Sequence, residues 1–250
     1  MLNLGHGANS TGSAMNTGNS FGRGSLKGAT PLRQQFLERT IEEFARTGPG
    51  AFNPGKIARE LGVTVAMINH YFGSRYGLIA EAAYLVYSSY IDELFEAVRS
   101  APRVPEDRLR AWMETQIVVS RRVGGWGVVL NYPTFSLKDS LAFDANYSKS
   151  VVRKYELNLA RLAQLIIDLK AGSVSPEEVA EQNLDLDKFL SNPKLVALGS
   201  SIAMSTLGAS VWFAGSHAPS ADSVESRKRA EFALESHIEI LVQLAKSTDL

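Results

Sequence analysis

Cysteine is absent from all 250 residues. Without thiols there is no disulfide framework, no thiolate-bound zinc, no iron–sulfur ligation and no cysteine nucleophile, and a reducing compartment such as the cytoplasm suits the chain. Histidine is scarce. His6, His70, His217 and His237 stand apart with no i, i+4 pair and no H-E-x-x-H, so no metal site is expected. Residues 195–221 carry no charged side chain, which raises the question of a membrane span. Five Ser, one Thr and three Gly between Gly199 and Ser216 argue instead for a buried helix, and no membrane partner is expected. A continuous apolar signal-peptide core is also missing from the N-terminal region, so the Asn9 and Asn146 sequons read as chance matches. Gly18, Ser20 and Gly22 satisfy G-x-S-x-G, but no strand and helix flank them as a nucleophile elbow requires. Glu177, Glu178 and Glu181 follow Ser175 and Pro176 at a helix start, where acids favour the helix dipole. No catalytic constellation remains; neither an enzyme nor a cofactor is expected.

What is present is an ordinary globular composition, 45% hydrophobic and 21% charged, with 26 basic and 26 acidic residues. Neutrality conceals an asymmetry. Residues 1–80 hold eight Lys/Arg and four Asp/Glu, net +4, and the remainder is net −4, so a polyanion partner suits the first segment. The first thirty residues contain seven Gly, four Ser, four Asn and three Thr with no apolar periodicity, and are expected to form a disordered tail. Arg23 and Lys27 would allow that tail to act as a nucleic-acid arm.

Helical periodicity starts at Pro31, where Leu32, Phe36, Leu37, Ile41, Phe44 and Ala45 form one apolar face. Gly48, Pro49 and Gly50 end this helix. Asn53 caps the next, with Pro54 at its first position, where the missing N–H costs nothing, and Ile57, Ala58 and Leu61 on its buried side. Gly62 permits a sharp turn, Val63 plugs the corner, and Thr64 is placed to cap a third helix running to about Phe72. Two short helices joined by a tight turn after a longer supporting helix make a helix-turn-helix candidate over residues 31–80. Val65, Ala66, Met67, Asn69, His70 and Tyr71 are left facing outward or partly outward. Small apolar side chains suit thymine methyls, and Asn69 suits adenine, in a major groove.

The stretch IARELGVTVAMINHYFGSRYGLIAEA, residues 57–82, resembles the DNA-binding signature of the tetracycline-repressor (TetR) family of bacterial transcription regulators. The resemblance joins the helix-turn-helix to an Asn-His-Tyr-Phe-x-Ser-basic-x-x-Leu run, and close likeness covers residues 32–82. It implies a recognition helix beginning at Thr64, which would touch phosphate or base. Val65, Ala66 and Met67 would enter the groove, and His70 and Tyr71 would reach the backbone. Arg75, where the family usually has Lys, would contact phosphate beside the helix start capped by Ser74. Asn53, Lys56 and Asn69 complete the candidate DNA-contact set. This chain departs from the common pattern at Val65-Ala66, where Lys-Gly is frequent, at Asn69, where Tyr is frequent, and at Tyr76, where an acid is frequent. Val65 removes a possible phosphate contact and bears on affinity and operator preference more than on fold.

A long helix is expected from Ser74 to about Ser100, with Leu78, Ala82, Leu85, Ile91, Leu94 and Val98 as its apolar face and Pro102 and Pro105 closing it. Residues 81–250 continue as a larger helical body. Trp112, Met113, Ile117 and Val118 mark one helix, Gly124, Gly125, Trp126 and Gly127 break it, and a helical pattern runs from Leu141 to Leu169. The resemblance implies an effector pocket here and an all-α fold. Trp112, Met113, Trp126, Tyr132, Phe135, Phe143 and Tyr147 are its candidate lining, with Gln116, Asn131 and Asn146 as polar anchors. Ala197, Ser201, Ser205 and Ala209 recur every four residues, a small-residue stripe that admits close helix approach. Residues 223–247 read as an amphipathic helix with Ala230, Ala233, Leu234, Ile238, Leu241 and Val242 on its apolar side. The family arrangement implies homodimerisation through residues 194–247. The function implied is a DNA-binding regulator, a repressor released from a palindromic operator by a hydrophobic or amphipathic small-molecule effector; the alternative is a constitutive or partner-controlled DNA-binding protein.

Overall fold

The computed structural model describes residues 30–47, 52–122, 137–175, 185–216 and 224–250. Those residues hold helices and connecting turns, with no strand among them. The first four helices are α1 (Pro31–Thr47), α2 (Pro54–Glu60), α3 (Ala66–Phe72) and α4 (Arg75–Ser100). They are followed by α5 (Pro105–Arg122), α6 (Leu137–Ala171), α7 (Leu186–Leu190), α8 (Pro193–Ser216) and α9 (Val224–Ser247). The tail before residue 30, the glycine cluster at 124–127 and Glu177, Glu178 and Glu181 lie outside the described residues.

Local chemistry sets these boundaries. The Asn53 side-chain oxygen accepts from the Gly55 and Lys56 amides at 2.9 and 3.3 Å, and Pro54 opens α2. Gly62 then takes φ +68° while the Val63 amide donates back to the Ala58 carbonyl at 2.9 Å. That left-handed residue ends α2 sharply and turns the chain into α3. Thr64 does not cap α3: Val65 occupies the cap position without a side-chain hydrogen bond, so the Thr64 side chain stays on the exposed side. The Ser74 hydroxyl accepts from the Gly77 amide at 3.0 Å and starts α4. On α8, which is free of charge from Leu195 onward, Thr206 and Ser210 satisfy their hydroxyls on the Ile202 and Thr206 carbonyls. No helix among the described residues is long and apolar enough to cross a membrane.

Two hydrophobic cores share one helix. The head core joins Phe36, Leu37, Ile41 and Phe44 of α1 to Ile57, Ala58, Ile68 and the α4 side chains from Leu78 to Val86. From Tyr87 onward α4 instead packs into the body with α5, α6, α7, α8 and α9. A domain boundary placed at residue 80 therefore falls inside α4, six residues before its side chains change cores. Because one continuous helix contributes to both cores, head and body are coupled mechanically through its backbone hydrogen bonds.

Candidate nucleic-acid interface

The head presents one face of the helix-turn-helix outward. Ile68 anchors α3 inside the core, and Met67, Tyr71 and Phe72 lie half-buried against the head. Thr64, Val65, Ala66, Asn69 and His70 are exposed, Val65 to 48% of its surface. The outward set expected from the sequence thus divides into four side chains that meet solvent, Val65, Ala66, Asn69 and His70, and two, Met67 and Tyr71, that also support the helix. Tyr71 packs its ring 6.5 Å from Phe36, and His70 sits edge-on to Tyr71 at 5.0 Å. The face carries no Lys, Arg, Asp or Glu, so what it offers a groove is small apolar surface, an amide and an imidazole.

The nearby cations are already engaged. Lys56 Nζ lies 2.9 Å from Glu43 Oε2, and Arg46 Nη2 lies 2.6 Å from the same carboxylate oxygen. Hydrogen bonds from Arg46 and then Lys56 hold the Glu43 carboxyl below its ordinary value. Lys56, a candidate phosphate contact, therefore ties α2 to α1 in this structure. Arg75 donates to the Phe52 carbonyl at 3.4 Å and places its guanidinium 5.7 Å from the Phe52 ring centre. Asn53 spends its side-chain oxygen on the α2 cap, leaving its exposed amide nitrogen for an outside partner.

Four positions of consequence, Gly77, Glu43, Arg33 and Glu81, have no counterpart in the sequence reading. Gly77 lies in the first turn of α4, where an added Cβ would overlap the Phe72 carbonyl oxygen. Only glycine lets α4 start this close beneath the end of α3. A glycine at a position where helix propensity favours alanine was the available signal. Glu43 and the Arg33–Glu81 pair, at 2.6 Å across 48 residues of chain, gave none: their partners lie on other helices.

In the body, Trp112 and Met113 are fully buried core side chains, and the Trp112 indole N–H donates to Asn158 Oδ1 at 3.1 Å. Gln116 is 2% exposed; its amide nitrogen donates to the Ala203 carbonyl at 3.1 Å, while Oε1 is buried without a hydrogen-bond partner. Tyr147 lies at the other end of the assembly, stacked on Tyr84 of α4. Trp126, Asn131, Tyr132 and Phe135 lie outside the described residues, as does the side chain of Phe143; Asn146 is exposed. The structure therefore brings Trp112, Met113 and Gln116 together on α5 and sets Tyr147 apart from them. Among the described residues no group of three or more metal-ligating side chains occurs.

Residues 36–82 match the model of bacterial regulatory proteins, tetR family. No curated protein matches significantly. Among solved structures, the chain is similar to a TetR family transcriptional regulator, PfmR, from Thermus thermophilus. Identity is 19%, 84% of this chain and 97% of that chain are covered, and the TM-score is 0.51, a likeness of fold. A second, the fatty acid degradation regulator FadR from Bacillus halodurans, matches at 14% identity over 86% of this chain and 95% of that one, with a TM-score of 0.46.

Proposed function

We propose that the chain, whose residues 36–82 match the model of bacterial regulatory proteins of the tetR family, is a homodimeric DNA-binding repressor whose operator affinity falls when a small hydrophobic or amphipathic molecule enters the body. The observation that carries the reading is α4, whose side chains pack in the head up to Val86 and in the body from Tyr87. A ligand that favours one packing of the body has, through this helix, a differential affinity for one placement of the head, and that difference is the coupling free energy. The buried, unpaired Gln116 Oε1 on α5 supports a polar anchor for such a ligand, since a donor there would recover the cost of its desolvation. Its location favours the α5–α8 seam over the Tyr147 end.

Dimerisation is supported by the outer face of the last two long helices. Met204 of α8 and Phe232, Ile240 and Leu244 of α9 are exposed, Phe232 to 73% and Ile240 to 63%. Beside them Gly208, Ala209, Ala233, Leu234 and His237 line a recess of about 300 Å³, shaped to receive side chains from a second copy. The exposed line on α8 runs Ala197, Ser201, Met204, Gly208, while Ser205 and Ala209 of the small-residue stripe turn partly inward; the Ser205 carbonyl meets the His237 ring at 3.2 Å. A two-fold dimer would set two reading faces about 34 Å apart, on successive turns of duplex DNA.

The test is selection from a random-sequence duplex pool at two salt concentrations. An inverted repeat enriched at the higher salt, with half-sites about one helical turn apart, is the expected result. Enrichment of single half-sites would refute the palindromic dimer, and no enrichment would refute sequence reading altogether. Thermal-shift screening of the purified chain against apolar acids, alcohols and amines tests the effector; no shift with any of them favours constitutive binding around a filled core containing Trp112 and Met113.

A further inference from the structure

Where the head joins the body, three helices meet around one carboxylate. Glu81 of α4, its side chain 14% exposed, accepts from Arg33 Nη2 of α1 at 2.6 Å. The Arg33 guanidinium also lies over the ring of Phe72, at the end of α3, 5.0 Å from its centre. From the body side, the Tyr147 hydroxyl of α6 hydrogen-bonds to Glu81. Its ring stacks on Tyr84, three residues further along α4, with centroids 4.9 Å apart and an interplanar angle of 16°. Burial first, and then the negative charge of Glu81, push the Tyr147 hydroxyl above its ordinary range, so it stays protonated and is the donor.

Further along, α6 is committed to the body. Leu157, Ala160, Leu162 and Ile166 are buried in the body core, so any shift of α6 within that core moves the helix that carries Tyr147. A polar path therefore runs from the body through Tyr147, Glu81 and Arg33 to Phe72, parallel to the apolar packing along α4 and ending at the reading helix. Both bonds to Glu81 involve an ionised group and are partly shielded from water, which makes them stronger and more directional than neutral surface contacts.

We propose that Tyr147 is a positioning residue for the DNA-reading head: through Glu81 it holds Arg33, and with Arg33 the start of α1 and the end of α3, in fixed orientation to the body. The stack on Tyr84 supplies contact area, and the hydroxyl supplies register. When the hydroxyl bond is lost, Glu81 keeps Arg33 but no longer ties it to α6, and the head turns on α4 alone. The proposal rests on the DNA-reading function for its consequence, not for its geometry.

The absence of cysteine makes a direct measurement possible in the full chain. Spin labels at Arg59→Cys on the head and Ser173→Cys after α6, both exposed positions, report the head-to-body distance when labelled protein is diluted into unlabelled protein. Tyr147→Phe, which keeps the stacked ring, is expected to add a second distance population, raising the share of displaced heads about tenfold, the worth of one hydrogen bond to a charged group. Glu81→Gln is expected to reproduce that population. Tyr155→Phe, an exposed tyrosine on the same helix, leaves the distribution unchanged, and Tyr147→Phe stays folded, its melting temperature lower by no more than a few degrees. An unaltered distance distribution in Tyr147→Phe, or a second population in Tyr155→Phe as well, overturns the proposal. Because no DNA is present, failure of the parent chain to select a duplex would refute the function above and leave this result standing.

Discussion

Replacing Gly77 with alanine sets two physical rules against each other. Gly77 lies in the first turn of α4, and helix propensity alone favours alanine there by roughly 0.5–1 kcal/mol. The structure argues the opposite sign, because the new Cβ would overlap the Phe72 carbonyl oxygen, an atom of the backbone that cannot rotate aside. Relieving the overlap means moving the end of α3 away from α4. Phe72 and Met67 pack half-buried on the head core and Phe72 lies under Arg33, so the movement loosens several contacts at once. Overpacking costs about 1–3 kcal/mol, and against a backbone atom that cannot yield, the upper part of that range, about 2–3 kcal/mol, applies, leaving a net loss of about 1–2 kcal/mol once about 1 kcal/mol of propensity is subtracted. For a chain of this length each kcal/mol is worth about 2–4 °C, so the melting transition should fall by roughly 2–8 °C. Far-UV circular dichroism on parent, Gly77→Ala and Gly199→Ala is the assay. At Gly199 the added Cβ would stand 3.8 Å from Leu162 Cδ2, an ordinary contact, so that variant should hold or gain stability. Equal or higher melting in Gly77→Ala would show that α3 and α4 do not approach as described.

Further outcomes follow from the same geometry. Phe232→Asp combined with Ile240→Asp should convert a dimer into a folded monomer, read by light scattering and circular dichroism; a persistent dimer would place the interface elsewhere. Glu43 has a lowered folded-state value, so its contribution to stability is present above its ordinary value of 4.5 and is lost as pH falls through the lowered one. Glu43→Gln should therefore flatten the acid side of a melting-temperature profile and leave its shape near pH 7 unchanged. Val65→Lys should add one phosphate contact on the exposed face and steepen the salt dependence of DNA binding by about one ion, with little change in the sequence selected.

Most of the helices were legible because burial imposes a period on the sequence. Leu78, Ala82, Leu85, Ile91, Leu94 and Val98 were expected to share one face of a helix to Ser100, and each is buried in α4. The same logic found Ala230, Leu234, Ile238, Leu241 and Val242 on α9, with Ala233 the exception: it turns outward to the recess beside His237. Local caps were readable where one side chain reaches a nearby amide, as Asn53 and Ser74 do. Thr64 misled because a threonine ahead of a helix is not enough to cap it: α3 begins from Val65, already at helical φ −59° and ψ −27°, with no side-chain cap hydrogen bond. Periodicity could not show which residues of a buried face belong to which core. The change at Val86 and Tyr87 occurs within an unbroken apolar pattern. Nor could it foresee Lys56 reaching back thirteen residues to Glu43, or Arg33 meeting Glu81, since each pairing depends on how two helices cross.

Those pairings change what the basic character of the first segment means. Net charge counts Arg33, Arg39, Arg46 and Lys56 as available to a polyanion, yet they lie within 2.9 Å of Glu81, Glu42, Glu43 and Glu43 respectively. A cation that must leave a carboxylate to reach a phosphate gains only the difference between two similar attractions, and it releases fewer counterions from the DNA than a free one. The reading face itself contributes no formal charge at neutral pH beyond any carried by His70. If the head reads DNA through α3 as proposed, base edges and shape would contribute more than the paired cations can by phosphate neutralisation, and Val65, Ala66 and Asn69 would carry that share. Small apolar groups reward thymine methyls and an amide rewards adenine, so an operator rich in A·T pairs under the start of α3 is the physical complement of this surface. The same economy makes head placement matter. A protein that leans on a few directional contacts loses affinity steeply when its reading helix is turned, and the polar tie from Tyr147 to Arg33 acts on that orientation.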